Sequence, residues 1–124
     1  MNASDRNRLR HMLDAAADAM SFAEGKSFDD LRGSRLLVSA LTRQIEIVGE
    51  AASKVSADCT AGIAGIPWPR VVGIRNRLIH AYFDVDLEIV WTTVTADFPP
   101  MVGILEGVLA SDPAPQAETP APKA

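Results

Sequence analysis

Arg75, Asn76, His80 and Tyr82 fall within one short stretch, IRNRLIHAYF, that runs from Ile74 to Phe83. Between them they hold the parts of a reaction. A histidine, with an unperturbed pKa of about 6.5, takes a proton from a ribose 2′-hydroxyl or returns one to a departing 5′-oxygen. Arginine's rigid fork suits a phosphate that gains negative charge in the transition state. Asparagine can hold the imidazole tautomer or the phosphate, and Tyr82 adds a hydroxyl nearby. That set is enough for RNA cleavage without a metal. A second reading of the same residues stays open, because a histidine near a helix end also serves as a satisfied structural residue.

The charge distribution narrows the substrate. The chain as a whole carries a net charge of -4, which opposes wrapping by a long duplex. From Trp68 to Tyr82, however, there are three arginines, Arg70, Arg75 and Arg77, and no acid. A local patch of this kind can hold one phosphate or a short single strand. Within it, Arg77 and Arg70 are candidate RNA contacts, although Arg77 reads first as a solvated surface arginine.

Helices must position these groups. A chain of 124 residues, 48% hydrophobic and 23% charged, fits one compact domain. Residues 4–23 place Leu9, Met12, Leu13, Ala16, Ala17 and Met20 at offsets of three and four, one apolar stripe of a helix. Ser27 with Asp30 forms a capping-box pattern for a short turn before Gly33. Residues 34–56 set Leu37, Leu41, Ile45, Val48, Ala52 and Val55 on one helical face and Arg35, Ser39, Arg43, Glu46, Glu50 and Ser53 on the other. Glu46 and Glu50 are expected on that solvated face near Arg43 and Lys54, as ion-pair partners and not as an acid/base pair. After a loop, a third helix is expected from about residue 68 through His80, with Pro69 in its first turn. Continued that far, it puts Arg75 inside the apolar arc and stacks Asn76 on His80. A buried arginine needs a partner, a pocket or an interface. The final block starts with Asp86 as N-cap and is interrupted by Pro99 and Pro100, which predict a kink or fresh start near Phe98. The expected architecture is all-α, a bundle of about four main helices with a kinked or broken C-terminal helix, over residues 1–110. Residues 111–124 form a proline- and alanine-rich segment expected to be disordered.

Other residues have plainer roles. Cys59 is the one cysteine, so it has no intrachain disulfide partner, and two histidines make no zinc-type cluster. No apolar run reaches the roughly 20 residues of a membrane span, and the start lacks a secretory signal's apolar centre, so a cytoplasmic location is expected. Trp68 and Trp91, among apolar neighbours, read as packing residues. Gly49, in mid-helix, reads as a point of close helix approach, and His11 as structural.

The stretch RNRLIHAY matches the R-x4-H-x-Y motif and resembles the HepT-type toxins of the HEPN superfamily, with Arg75, His80 and Tyr82 at the motif positions and Asn76 after the arginine. IEIVGEAASKVS, IPWPRVVGIRNRLIHAYFDVDLEIVW and DFPP extend the resemblance over residues 9–109. Ala81 departs from the glycine common there. The resemblance implies a HEPN-type bundle that forms a homodimer and faces two copies of the arginine and histidine across a cleft. It implies a metal-independent ribonuclease toxin without a cofactor, in which Arg75 stabilises the phosphate, His80 is the general acid/base and Asn76 orients. It further implies a partner, a minimal nucleotidyltransferase antitoxin that attaches AMP to Tyr82. A bulky anion there would occupy the substrate phosphate's place. Two alternatives remain: a bundle that partners a nucleotidyltransferase and binds nucleotide without cutting, and a purely structural dimer.

Overall fold

The computed structural model describes residues 1–81 and 84–112, with residues 79–81 described by their backbone alone. Its elements are α1 (Ala3–Ala23), α2 (Phe28–Arg32), α3 (Arg35–Ser53), α4 (Ala57–Ala61), α5 (Trp68–Val72), α6 (Ile74–Leu78), β1 (Ile79–Ala81), β2 (Asp84–Val85), α7 (Leu87–Thr92), a π-helical turn (Thr93–Asp97) and α8 (Phe98–Ser111). The fold is an all-α bundle carrying one small hairpin. No helix among the described residues is long and apolar enough to cross a membrane.

Helices α1 and α3 form the centre, and α8 packs along α1. Leu9, Met12 and Ala16 of α1 meet Leu41, Ile45 and Val48 of α3 in a shared core, closed by Val90, Val94 and Leu105. The apolar face expected for α3 is the one that is buried. On α1, Ala17 is exposed, whereas Ala15 and Ala19 are buried beside Ala16. The helix starts agree with the capping chemistry. Ser27 and Asp30 exchange hydrogen bonds of 2.8 and 3.1 Å, and the Asp86 carboxylate accepts the Ile89 N–H at 3.1 Å.

Helix α3 ends at Ser53, short of the expected Ser56, and the loop after it contains α4. The cause lies in α1. Asp5, only 5% exposed, accepts the Ser56 N–H at 2.9 Å and the Ser56 hydroxyl at 2.7 Å, while the Ser56 hydroxyl oxygen caps α4 by accepting from the Cys59 N–H at 3.3 Å. Ser56 thus starts a new helix, tied to the first turn of the chain. The side-chain bond and then the backbone bond from Ser56 hold the Asp5 carboxyl below its ordinary value, against the opposing effect of burial.

The C-terminal rod behaves as the two prolines require. Pro99 and Pro100 have no N–H for the carbonyls of Thr95 and Ala96, so an α-helix cannot run through them undisturbed. The backbone widens instead, and the Phe98 N–H reaches back five residues to the Thr93 carbonyl, after which α8 starts with both prolines in its first turn. At the other end of the rod Asp112 pairs with Arg6 of α1. Of residues 111–124, the segment expected to be disordered, Ser111 ends α8 and Asp112 is held by Arg6, while residues 113–124 lie outside the described residues.

The third helix departs most from expectation. It is not continuous through His80: α5 ends at Gly73, α6 covers one further turn, and the chain enters β1 at Ile79. β1 pairs antiparallel with β2, Ile79 opposite Val85 and Ala81 opposite Asp84, and the Asp86 N–H closes on the Leu78 carbonyl at 2.7 Å. Residues 79–85 are rich in β-branched and aromatic types, which favour extended backbone over another helical turn.

Candidate functional site

The motif segment is seated on α3 by a missing side chain. A Cβ built on Gly49 would stand 3.1 Å from Cγ2 of Ile74 and 3.3 Å from the Val71 carbonyl oxygen. Glycine lets α5 and α6 come this near without displacing Ile74 or the Val71 carbonyl, as the mid-helix position suggests. Ile74 and Leu78, four residues apart, are then buried against α3 and α7 and form the inner ridge of α6. At 100° per residue, Arg75 and Arg77 lie about 80° to either side of that ridge, and Asn76 lies on the outer face.

The two flanks meet different surroundings. Arg75 turns towards α3, where its Nε stands 3.4 Å from Oε2 of Glu46. Its side chain is 69% exposed and that of Glu46 26% exposed, so Arg75 is displayed at the surface by a partly sheltered carboxylate. The sequence reading is corrected twice here. Arg75 is not inside the apolar arc, because the break at Gly73 ends the uninterrupted helical count on which that placement rested. Glu46 pairs with Arg75 and not with Arg43 or Lys54, although Glu50 does pair with Lys54 at 3.2 Å as the spacing predicts.

Arg77 takes the opposite flank, towards the π-helical turn. It is half-buried, and its Nη1 is buried without a hydrogen-bond partner. The expectation of a solvated arginine therefore fails: Arg77 lines hollows that it shares with Thr93 and Asp97 of the π turn, a setting that nothing in the local sequence announces. Arg70 reaches the same region, with Nη2 3.4 Å from Oδ2 of Asp97. The basic patch counted along the chain is partly balanced in space, since Glu46 and Asp97 approach it from other elements.

Asn76 is exposed, and its N–H donates to the Gly73 carbonyl at 3.1 Å. The chain leaves the helix after Leu78, so the helical spacing from which Asn76 was expected to stack on His80 does not extend to residue 80. His80 lies in β1, directly beyond α6, so its backbone belongs to the hairpin; its side chain, and all of Tyr82, lie outside the described residues. The structure thus brings Arg75 together with Glu46, Arg70 together with Arg77, and leaves Asn76 facing out between the two arginine flanks. Sequence reasoning missed Glu46 as the partner of Arg75. The available signal was its place on the α3 face one turn before Gly49, the point where α5 and α6 touch down. Trp68, half-buried, packs against the core with its Nε1 3.4 Å from the Ile63 carbonyl, and Trp91 also packs there, as expected of both. His11 is exposed on α1.

Comparison with known proteins gives this geometry a context. The family described as "Ribonuclease HepT-like" matches residues 12–108. A protein of Methanocaldococcus jannaschii whose name marks it as a candidate RNase is 32% identical over 91 residues, 73% of this chain and 84% of that protein. One from Caldanaerobacter subterraneus subsp. tengcongensis, named in the same way, is 29% identical over 84% of this chain and 93% of its own length. A protein of Thermococcus cleftensis named as a probable ribonuclease HepT is 32% identical over 86% of this chain and 96% of its own length. No solved structure matches the chain.

Proposed function

We propose, since this chain belongs to the ribonuclease HepT-like family of HEPN proteins, that it is a metal-independent endoribonuclease whose reacting groups are Arg75, Asn76 and His80. The observation that carries the reading is the setting of Arg75. It stands at the surface on a single helical turn seated on α3, held by Glu46 on one side, and followed directly by the strand that carries His80. A guanidinium so displayed keeps donors for a phosphate, since the Glu46 contact engages Nε and leaves the two terminal nitrogens of the fork.

In the reaction His80 takes the proton of a ribose 2′-hydroxyl, the 2′-oxygen forms a bond to phosphorus, and the bond from phosphorus to the 5′-oxygen breaks. The departing oxygen takes a proton from the imidazolium form of a histidine. Arg75 neutralises the charge that collects on the phosphoryl oxygens, and Asn76, facing outward beside it, orients the phosphate. One imidazole serves as base or acid but not as both at the same instant, which favours a homodimer that presents two histidines to one cleft. Tyr82, two residues past His80, is the acceptor for AMP from a nucleotidyltransferase antitoxin, and the added phosphate would compete with RNA for Arg75. Arg70, already paired with Asp97, and Arg77, partly enclosed, contribute positive potential at most.

The test is incubation of the purified, unmodified chain with total RNA in chelator. Cleavage should persist in EDTA and vanish in His80→Ala while the oligomeric state stays as in the parent; a His80→Ala chain that still cuts would remove that residue from the mechanism. RNA retention without cleavage in the parent chain would instead favour a binding partner of the nucleotidyltransferase. Tyr82→Phe should fold, cut RNA and escape AMP attachment.

A further inference from the structure

On the side of α6 away from Arg75 a cavity of about 190 Å³ opens between α3, the α5–α6 segment and the π-helical turn. Val48, Val71, Ile74, Phe98 and Met101 give it apolar walls. Arg77 and Thr93 also line it, and each carries a buried polar atom without a hydrogen-bond partner, Nη1 of the arginine and Oγ1 of the threonine. Thr93 is 3% exposed. A threonine hydroxyl on a helix usually satisfies itself on the carbonyl one turn back, as Thr95 does on the Trp91 carbonyl at 2.7 Å. Thr93 does not, and it opens the π turn, a distortion that recurs at functional sites.

Two orphaned donors of this kind are expensive to keep inside a protein unless an acceptor comes to them. Among the described residues Asp97 is the one carboxylate on the cavity wall and is engaged with Arg70, so Arg70, Arg77 and Asp97 leave one positive charge on this wall, with Asp86 and Glu88 lining the adjoining hollow on the other side of Arg77. The missing acceptor is therefore anionic, and the remaining wall is apolar. A phosphate or sugar would leave its own polar groups unmatched against valine, isoleucine and methionine. We propose that this cavity binds a small carboxylate with an apolar body, its carboxylate on Arg77 and Thr93 and its body against Ile74, Phe98 and Met101. The space suits a single ring, since a cavity of about 150 Å³ accepts benzene.

Benzoate is the probe, titrated into the full chain by calorimetry, with toluene as the neutral counterpart. Benzoate should bind saturably at one site per chain. Thr93→Val, which keeps the shape and removes the hydroxyl, should weaken it about tenfold, and Arg77→Met, which keeps an unbranched stem, by about a hundredfold. Both variants are first compared with the parent by circular dichroism and thermal unfolding, and Thr93→Val stands as the decisive variant where Arg77→Met fails to fold. Absence of benzoate binding, as expected of a cavity that merely holds water, overturns the proposal. So does binding that Thr93→Val leaves unchanged, or toluene binding as tight as benzoate, which would mark the space as an apolar void.

Discussion

Replacing Gly49 by alanine tests the contact that seats the motif, provided that it is compared with the same replacement at Gly103. Both glycines lie inside helices, α3 and α8, so both variants gain the same helix-propensity term of about 1 kcal/mol. They differ in what the new methyl meets. At Gly103 nothing lies within 4 Å, whereas at Gly49 the methyl would stand 3.1 Å from a side-chain carbon of Ile74 and 3.3 Å from the Val71 carbonyl oxygen. Ile74 is itself buried and the oxygen belongs to a helix backbone, so neither neighbour can swing aside. Overpacking of this type costs about 1–3 kcal/mol. The propensity terms cancel in the comparison, and Gly49→Ala should be less stable than Gly103→Ala by that same amount. Urea denaturation at one fixed chain concentration measures it, the fixed concentration being needed because assembly shifts apparent stability. At about 4–8 °C per kcal/mol for a domain near this size, melting points should separate by at least about 4 °C. Equal midpoints for the two variants would refute the close approach of α5–α6 to α3, and with it the account of how Arg75 is positioned.

Asp5→Ala should destabilise the chain by about 3–6 kcal/mol in the same assay, because hydrogen bonds to a charged group contribute about 1.5–3 kcal/mol each and Ser56 would lose the acceptor for both of its own. The Asp5 carboxyl is held below its ordinary 3.8, so the unfolded chain binds its proton first. The stability advantage of the parent over Asp5→Asn should therefore be constant above about pH 5 and shrink as pH falls through the folded-state value; an advantage that grew in acid would contradict the assignment. Glu46→Gln should change stability by less than about 1 kcal/mol, since the partner Arg75 is largely solvated in the single chain. A larger loss, measured across a dilution series, would mean that a second copy desolvates the pair. Cys59, whose thiol is pushed up by burial and then by Asp5, should be alkylated by iodoacetamide at neutral pH more slowly than the same residue in the urea-unfolded chain.

What the sequence disclosed and what it withheld divide along a physical line. Features set by neighbours within one turn were legible: the apolar face of α3, the Ser27 and Asp30 capping pair, the Asp86 cap, the Glu50 and Lys54 pair and the interruption before Pro99. Each depends on helical spacing or on a missing backbone N–H, and both are local quantities. The orientation of the two arginines was not legible, because it depends on where a helix stops. One break at Gly73 and an exit into β1 at Ile79 turned the expected burial round, leaving Arg75 outside and Arg77 half enclosed. Glu46, the partner of Arg75, lies 29 positions away along the chain, and Asp97, which pairs with Arg70 on the wall beside Arg77, lies 27 positions from Arg70, distances over which periodicity carries no information. Asp5 and Ser56, 51 residues apart, are the same kind of relation, and the early end of α3 followed from it.

The π turn before α8 amounts to one surplus residue in an otherwise α-helical rod. Deleting a single residue between 93 and 97 would let ordinary winding resume and would turn everything upstream of the deletion by about 100° relative to α8, with an axial shift of about 1.5 Å. Thr93 would leave the wall opposite Arg77, while Phe98 and Met101 would keep their places. Descendants of this chain could thus gain or lose half of a polar pair by a three-nucleotide change, with no amino acid in that wall exchanged for another.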